Sequence, residues 1–453
     1  MAHEGNGNDR YLILGAGLAG LAAGQRLGGN ATVLECEDRA GGMVRSVRIG
    51  DYWFDRTMRL LYFDDPETEG VSRDLTGSDL HQFPWTAWVE TLKGTCRYPF
   101  QMNLSSLDAG TIIRCLHDLA KTTFTPRSDP PPANFLEEMQ RVYGQAFCDI
   151  FLITFNEKLW RRPLTELAPS ALSWTMTRPD FALVARGAIS ADSGFAPYNA
   201  QGWYPRPPVG APLRGMEVLS AAYARALSDL RLGHAVTRID LDRRVVKGNG
   251  PDGPFALEFG AGCIATLPLT TLVRLCGPLP AAIGAAAARL EWLRVWSVAV
   301  CVKGPRAEAP GLWRYYAEPS LIFTRLSFTH ELDPLNSPAD GWGLLSEIPE
   351  SGSVPPADAA SLIERTIADS RRIGALGPGD EIVDARAWYS DPAYVTFVPG
   401  AEEDADLVKT HLEDRGLHLV GRYARWDYLG MSHVLNHGRQ LADRLAAQRL
   451  AIT

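Results

Sequence analysis

A glycine-rich turn near the start of the chain constrains the fold more than any other feature. The apolar run from Tyr11 to Leu14 ends at Gly15, and Gly17 and Gly20 complete the pattern G-x-G-x-x-G before a stretch rich in alanine and leucine. Glycines at these positions let the backbone turn sharply and approach a pyrophosphate, while the dipole of the following helix attracts the negative charge. The sequence therefore predicts a Rossmann-type unit that binds a dinucleotide.

An acidic residue supports this prediction. Glu35 follows Gly15 by 20 residues and ends a second predicted strand. Its carboxylate can accept a hydrogen bond from a ribose hydroxyl at that position. We therefore expect the cofactor to contact four residues of this unit: Gly15, Gly17, Gly20 and Glu35.

Length and charge limit the classes of function. At 453 residues the chain is long for one compact core, so two or three interwoven domains are expected. Its formal net charge of −8 argues against nucleic-acid binding. No apolar run approaches the ~20 residues that span a bilayer, and the polar N-terminal residues do not resemble a signal peptide. We therefore expect a cytoplasmic protein that binds neither nucleic acid nor membrane.

Cysteine and histidine spacing predicts no disulfide framework and no metal site. The seven cysteines include no C-x-x-C pair, and their odd number favours free thiols. His433 and His437 lie four residues apart on a predicted helix. Histidines at this spacing usually face solvent when no wider Cys/His cluster accompanies them.

The pattern of elements predicts an α/β fold with three parts. Alternating strands and helices predict a discontinuous Rossmann-type core, assembled from residues 8–84, 215–290 and 412–453. Residues 106–180 have a helical pattern and predict an inserted helical domain, although three consecutive prolines near residue 130 interrupt it with a loop. Segments rich in Val, Trp, Tyr and Phe predict an antiparallel β-sheet substrate domain, in residues 85–105, 181–214 and 291–411.

Several motifs resemble one group of flavoproteins, which includes amine oxidases, protoporphyrinogen oxidase and UDP-galactopyranose mutases. The glycine turn, Glu35 and the run from Arg39 to Gly42 carry the general resemblance. Further segments resemble the mutase-like branch, in the expected order and across nearly the whole chain. They are Phe54-Asp55, Arg97 to Gln101, Phe155 to Trp160, Gly202 to Pro205 and Gly421 to Tyr428.

The resemblance implies a bound FAD. Its pyrophosphate would lie over the glycine turn with Arg39 and Gly42 nearby, and its ring would be reached again by Gly421, Arg422 and Met431. In such mutases, N5 of the reduced flavin attacks the anomeric carbon of a nucleotide-linked sugar and displaces the diphosphate. The sugar ring then opens and closes through a different hydroxyl. The implied activity interconverts pyranose and furanose forms without net redox change.

The same resemblance implies residues around the substrate. Arg325 and Tyr428 match family positions, with Arg325 near the diphosphate, and Arg59 stands where the family has a histidine; these three are the candidate catalytic residues. The matched substrate-binding positions are Phe155, Trp160, Arg178 and Tyr394. The reaction requires cations for the diphosphate, aromatic side chains around base and sugar, and exclusion of water. Structural roles remain open for three of these residues. Trp160 can belong to the core, Arg325 can pair with a surface acid, and Arg178 can be a solvated surface residue.

The chain departs from the family pattern where the flavin ring is expected. The family's F-D-x-G-G-H segment is here Phe54 to Arg59, with Thr57 and Met58 in place of the glycines. Arg59 replaces the histidine with a fixed positive charge, which favours an anionic reduced flavin or an anionic substrate. Gly430 stands where sugar mutases commonly carry an acid. We therefore expect a substrate other than UDP-galactose, such as a deoxy or modified sugar nucleotide of secondary metabolism.

Three classes of function are compatible with these residues. The first is a reduced-FAD-dependent mutase acting on a nucleoside-diphosphate sugar, with NAD(P)H as a candidate reductant and an oligomer as a candidate assembly. The second is a redox flavoenzyme of the amine oxidase or protoporphyrinogen oxidase type that acts on a small molecule. The third is a non-catalytic flavin- or nucleotide-binding protein. The motifs favour the first and leave the others open.

Overall fold

A parallel sheet assembled from distant parts of the chain forms the first structural layer. The computed structural model describes residues 10–125, 130–171, 178–191, 201–306 and 311–450. Five strands form this sheet: β1 (Tyr11–Leu14), β2 (Ala31–Leu34), β9 (Leu230–Arg231), β13 (Cys263–Ala265) and β19 (Leu417–Leu419). They pair in parallel in the order β19-β13-β1-β2-β9. The predicted discontinuous assembly of the core sheet is therefore observed.

Burial explains why the strands at the centre of this sheet are apolar. Every residue of β1 and β2 is buried, and strands covered on both faces have continuous apolar runs. Four helices accompany the sheet: α1 (Leu18–Leu27), α2 (Pro66–Thr76), α8 (Glu217–Arg225) and α14 (Met431–Leu450). The glycine turn between β1 and α1 is thereby held on a rigid scaffold, since α1 packs against both α8 and α14.

A second, larger sheet forms a separate layer. Its strands are β6 (Ala87–Thr91), β7 (Gly94–Arg97), β14 (Trp292–Lys303), β15 (Trp313–Tyr316), β16 (Arg325–Phe328), β17 (Gly341–Ser351) and β18 (Glu381–Val395). They lie in the order β18-β14-β17-β16-β15-β6-β7. All neighbours are antiparallel except β6 and β15. The predicted α/β fold with a separate antiparallel sheet is confirmed, apart from that one parallel pair.

Helices occupy much of the region predicted to be helical. They are α3 (Ala109–Phe124), α4 (Phe135–Tyr143), α5 (Gln145–Phe147), α6 (Ile153–Trp160) and α7 (Phe181–Ile189). A π-helical turn, Cys148–Leu152, joins α5 to α6. The helix α7 begins just beyond residue 180, because Asp180 caps it by accepting a hydrogen bond from the backbone N–H of Leu183 at 3.0 Å. Part of the predicted proline-rich loop, residues 126–129, lies outside the described residues, and the domain boundaries stay predictions.

Smaller elements complete the fold. Two antiparallel strand pairs are the hairpin of β3 (Ser46–Ile49) with β4 (Tyr52–Asp55), and the long-range pair of β5 (Leu80–Pro84) with β8 (Gln201–Pro205). A three-stranded sheet contains β10 (Ala235–Asp240), β11 (Val245–Gly250) and β12 (Gly253–Glu258). The remaining helices are α9 (Leu269–Cys276), α10 (Ala281–Ala288), α11 (Thr329–Leu332), α12 (Ala359–Arg372) and α13 (Ala401–Glu413). Across the described ranges, no helix combines the length and the apolar character needed to cross a bilayer.

Candidate cofactor and substrate sites

The turn between β1 and α1 lines a cavity. Gly15 ends β1 with a φ of 99°, a conformation that favours glycine. Gly17 precedes α1, and no side chain caps the helix there. The first turn of α1 therefore offers backbone N–H groups that a phosphate can accept. Both glycines belong to the cavity wall.

Two further glycines allow the chain to approach itself closely around this turn. A Cβ at Gly20 would lie 2.0 Å from the carbonyl oxygen of Gly15, and one at Gly42 would lie 3.3 Å from the Cα of Gly17. Gly42 lines the cavity, whereas Gly20 does not. Gly20 thus supports the turn by close packing, which differs from its predicted direct contact with the cofactor.

Glu35 lines the same cavity from the end of β2. Its buried carboxylate accepts hydrogen bonds from the backbone N–H groups of Ala16 at 2.8 Å and Glu37 at 3.1 Å. These bonds fix the carboxylate beside the glycine turn. Its remaining lone pairs can accept a hydrogen bond from a ribose hydroxyl, as the sequence predicted.

Arg39 is held away from the cavity wall. Its guanidinium contacts both carboxylate oxygens of Glu217 at 3.1 Å and the carbonyl of Ser46 at 3.3 Å. Glu217 also accepts a hydrogen bond from the backbone N–H of Ser46 at 2.7 Å. Arg39 is not among the described residues that line the cavity, and its guanidinium is paired with a distant carboxylate on α8, so its cofactor contact stays a prediction.

The cavity also includes four residues predicted to lie near a flavin ring. They are Arg59, Gly421, Arg422 and Met431. The terminal nitrogens of Arg422 donate to the backbone carbonyls of Leu429 and Ala393, each at 3.1 Å. Gly421 has a φ of 91°, and a Cβ there would lie 2.8 Å from the Cβ of Ala19. The loop after β19 is therefore shaped to pack directly on α1.

A second cavity brings together most of the predicted substrate residues. The predicted residues in its wall are Phe155, Trp160, Arg325, Tyr394 and Tyr428. The helix α6 supplies the first two, β16 supplies Arg325 and β18 supplies Tyr394. Tyr428 lies between β19 and α14, so the chain collects these side chains from three elements and one loop that are distant in sequence.

Two stacked tyrosines join the cavities. The rings of Tyr394 and Tyr428 lie 5.7 Å apart at an interplanar angle of 12°. The guanidinium of Arg422 lies 4.2 Å from the ring centroid of Tyr428 and 5.3 Å from that of Tyr394. Arg422 lines the first cavity and the tyrosines line the second. The part of the first cavity around Arg422 therefore meets the second cavity.

Arg325 and Glu347 form a buried ion pair between neighbouring strands of the second cavity. The Nη2 of Arg325 contacts the Glu347 carboxylate and donates to the carbonyl of Met58 at 3.1 Å. Burial acts to lower the pKa of Arg325, but the charge of Glu347 and nearby tyrosines outweigh it and raise the pKa. The buried Nε of Arg325 has no hydrogen-bond partner among the described residues. An anionic ligand would satisfy this donor.

Trp160 and Arg178 lie differently from the predicted substrate clamp. Trp160 is only 1% exposed, and its ring meets those of Tyr394 and Phe397 edge-on at 6.5 and 6.3 Å. It therefore lines the cavity mainly as part of the core. The Arg178 side chain is 64% exposed and contacts Glu138 at 3.5 Å. Arg178 is not among the described residues that line the cavity, and its exposed side chain pairs instead with the buried carboxylate of Glu138.

Sequence reasoning did not assign several residues of the second cavity to the site, among them an acid and two tyrosines. Glu347 belongs to the otherwise buried strand β17, and an acid in such a strand signals a buried cation on a neighbouring strand. Tyr98 and Tyr315 also line the cavity, with ring centroids 5.9 Å apart. Their proximity depends on the parallel pairing of β6 with β15, which no local pattern indicates.

Asp55 anchors the segment that carries Arg59. It ends β4 and accepts hydrogen bonds from the backbone N–H of Met216 at 2.7 Å, the Tyr204 hydroxyl at 2.9 Å and the Ser46 hydroxyl at 3.1 Å. Burial raises the pKa of Asp55 to about 6, and the hydrogen bonds offset only part of that effect. The start of the segment is thus fixed by a titratable network.

We expect the stability effect of Asp55→Asn to depend on pH. The folded pKa of Asp55 lies above that of an unfolded aspartate, so the native state binds the proton more tightly and loses stability as pH rises through this window. The asparagine variant lacks this titration. The unfolding free energy of the wild type minus that of the variant should therefore fall by about 2 kcal/mol between about pH 4 and pH 7. Urea denaturation at both pH values measures it, and a pH-independent difference would contradict the buried titration.

A family model described as flavin containing amine oxidoreductase matches residues 18–446. The chain belongs to this family. As a member of the flavin-containing amine oxidoreductases, the protein is an FAD enzyme. This agrees with the cofactor predicted from the glycine motifs.

Solved structures share the fold of this amine oxidoreductase family member. The crystal structure of reduced UDP-galactopyranose mutase matches with a TM-score of 0.86 at 22% identity, over 97% of this chain and 94% of that chain. A proposed protoporphyrinogen oxidase from Exiguobacterium sp. matches with a TM-score of 0.70 at 14% identity, over 97% and 99%. Wild-type putrescine oxidase bound to putrescine gives 0.63 at 16% identity, over 97% and 99%. At these identities the likeness establishes the fold.

The first cavity fits the FAD that this family binds. Backbone N–H groups near Gly17 can hold the pyrophosphate, and Glu35 can hold a ribose hydroxyl. A side chain at Gly42 would contact the backbone of the glycine turn. Because glycine has none, the cofactor can approach the turn. The cationic wall around Arg422 suits the electron-rich ring of a reduced flavin.

Proposed function

We propose that the protein is an FAD-dependent mutase that interconverts the pyranose and furanose forms of a nucleotide-linked sugar. One observation carries this proposal: a cationic, aromatic cavity adjoins the FAD cavity through Arg422 and the stacked Tyr394 and Tyr428. A nucleoside-diphosphate sugar has an aromatic base and an anionic diphosphate, which this combination of side chains complements.

Arg325 is assigned to the diphosphate. Its charge is permanent, its Nε is an unused donor, and it stands over Trp313 and Tyr315 with its Cζ 5.4 and 5.8 Å from the ring centroids. The aromatic rings and the paired carboxylate of Glu347 restrict its orientation. A diphosphate oxygen can therefore be bound as substrate and stabilised as leaving group without reorganisation of the guanidinium.

The aromatic end of the cavity is assigned to the nucleobase. Phe151 and Phe155 stack at 4.7 Å and an interplanar angle of 16°, and Tyr315 meets Phe155 edge-on at 5.7 Å. Such rings offer a flat surface for a base and exclude water from the sugar when the site is filled.

The chemistry assigned to the cofactor follows from its position beside the second cavity. When bound in its reduced form, FAD would supply an electron-rich nitrogen as the nucleophile for the sugar. Arg325 stabilises the departing diphosphate, and Tyr428 and Tyr394 hold the sugar against the FAD cavity. A reductant such as NAD(P)H would be needed once, before many turnovers.

A redox flavoenzyme is the second candidate function. The family description and the fold shared with putrescine oxidase favour it. The charges at the cavity junction weigh against a cationic amine, because Arg59 and Arg422 have no carboxylate partner among the described residues and Glu347 is already paired. Continuous peroxide formation with a small-molecule donor would support this alternative.

Nucleotide binding tests the proposed function. We expect at least one of UDP, dTDP, GDP and ADP to perturb the visible spectrum of bound FAD. It should bind with a Kd below about 1 mM, which corresponds to a binding free energy of roughly −4 kcal/mol. The matched nucleoside without phosphates should bind at least about tenfold more weakly, because Arg325 then lacks its partner. Absence of binding by all four nucleotides would contradict the proposal.

A further inference from the structure

Two cations at the junction of the cavities have no counter-ion in the described part of the chain. The carboxylates in the two cavity walls are Glu35 and Glu347. Glu347 is paired with Arg325, and Glu35 is bonded to backbone N–H groups at the glycine turn. The charges of Arg59 and Arg422 are therefore left for ligands to neutralise.

Arg59 is the cation whose terminal nitrogens have no hydrogen-bond partner among the described residues, whereas Arg422 has only its buried Nε without one. Its Nε donates to the hydroxyl of Thr57 at 2.9 Å, and this is the hydrogen bond that its side chain makes within the described residues. Arg422, in contrast, uses both terminal nitrogens on backbone carbonyls. The half-buried guanidinium of Arg59 thus presents terminal N–H groups in the planar arrangement that binds carboxylates.

The segment that carries Arg59 forms part of the partition between the two cavities. Arg59 lines the FAD cavity. The carbonyl of the preceding residue, Met58, accepts a hydrogen bond from Arg325 of the second cavity at 3.1 Å. The charge of Arg59 also reaches Tyr394 of that cavity, where it opposes the rise in pKa that burial causes. Arg59 is therefore placed to contact a ligand that spans the junction.

We propose that the sugar of the nucleotide substrate carries a carboxylate, as a uronic acid does, and that Arg59 binds it. This inference rests on the nucleotide-sugar function proposed above. Arg325 is assigned to the diphosphate and the wall around Arg422 suits the flavin ring, so the charge of Arg59 is available to a second anionic group on the substrate. A neutral sugar would bury this guanidinium without neutralising it, and burial of an unpaired charge costs free energy. A carboxylate, in contrast, can accept two charge-assisted hydrogen bonds.

Binding of paired probes to the FAD holoenzyme tests this role. We expect UDP-galacturonic acid to bind the wild type at least about tenfold more tightly than UDP-galactose. In Arg59→Gln the two affinities should agree within about twofold, and Arg59→Lys should retain part of the preference because it keeps the charge. Arg48→Gln is the matched control, since Arg48 is exposed and contacts Asp51 at 3.4 Å. It should keep the wild-type preference.

Three results would overturn the assignment to Arg59. Equal affinity of the wild type for both probes would show that the site does not recognise a sugar carboxylate. A preference that survives in Arg59→Gln would show that Arg59 is not the residue that binds it. A lower midpoint potential of FAD in Arg59→Gln, with discrimination unchanged, assigns the guanidinium to the flavin ring instead. Failure of UDP and both probes to bind contradicts the proposed nucleotide function itself. The FAD absorbance of each variant shows whether it retains its cofactor.

Discussion

Loss of the Arg325 guanidinium is expected to weaken nucleotide binding at least about a hundredfold, or roughly 3 kcal/mol. This charge lies in the wall of the proposed substrate cavity, and its Nε is an unused buried donor. Removing it deletes charge-assisted hydrogen bonds to the diphosphate and leaves the negative charge of Glu347 facing the same ligand. Titration of the FAD holoenzyme with UDP, followed by the flavin spectrum, measures the loss.

The single variant Arg325→Met also leaves Glu347 buried without its partner, which can cost about 3 to 5 kcal/mol of stability. The double variant R325M/E347Q also removes the unpaired charge of Glu347. Its affinity for UDP therefore reports on binding and not on loss of stability. Glu347→Gln alone is the matched control, because it frees Arg325 to contact the diphosphate. We expect it to bind UDP at least as tightly as the wild type. Unchanged affinity in the double variant would exclude Arg325 from the nucleotide site.

Gly20→Ala is expected to abolish most FAD binding. The new Cβ would lie 2.0 Å from the carbonyl oxygen of Gly15, and this contact involves backbone that cannot rotate away. The α1 helix would have to move away from β1. This movement would separate the two sides of the glycine turn. We estimate a weakening of at least about a hundredfold, or roughly 3 kcal/mol. The ratio of flavin to protein absorbance after purification measures it.

Gly29→Ala provides the control for this experiment. Gly29 follows α1, and a Cβ there would meet no atom within 4 Å. The variant should therefore purify with wild-type FAD content and a wild-type melting temperature. Full FAD occupancy in Gly20→Ala would show that the turn does not need this close contact, and the account of the cofactor cavity would then fail.

Local pattern was sufficient to predict the cofactor cavity. The glycine turn, Glu35 and Gly42 lie within the unit β1-α1-β2 and the loop that follows it, so their spacing largely fixes their geometry. Arg39 belongs to the same stretch, but its partner Glu217 lies 178 residues later. A charged side chain is satisfied by whichever carboxylate the fold brings near, and spacing alone cannot reveal that partner. The sequence therefore did not predict the ion pair with Glu217, and the cofactor contact of Arg39 stays a prediction.

Motif matching found part of the second cavity and missed the rest. It identified Arg325 and Tyr428, whose positions follow recognisable segments. It did not identify Glu347 or Tyr315, because their roles depend on strand register across the large sheet, where β16 pairs Arg325 directly with Glu347 of β17. It also assigned Arg178 to substrate, whereas the structure places that side chain at an exposed ion pair. Long-range pairing thus determines which charges become buried.

Product formation per reducing equivalent tests the central claim most directly. The FAD holoenzyme is reduced with a limiting amount of dithionite without oxygen and supplied with the nucleotide sugar that binds most tightly. We predict many molecules of ring-isomerised product for each equivalent of reductant, with the flavin still reduced at the end. Two results would contradict the mutase account and favour a redox flavoenzyme. One is an amount of product that never exceeds the reductant supplied, and the other is steady peroxide formation with consumption of substrate after oxygen is admitted.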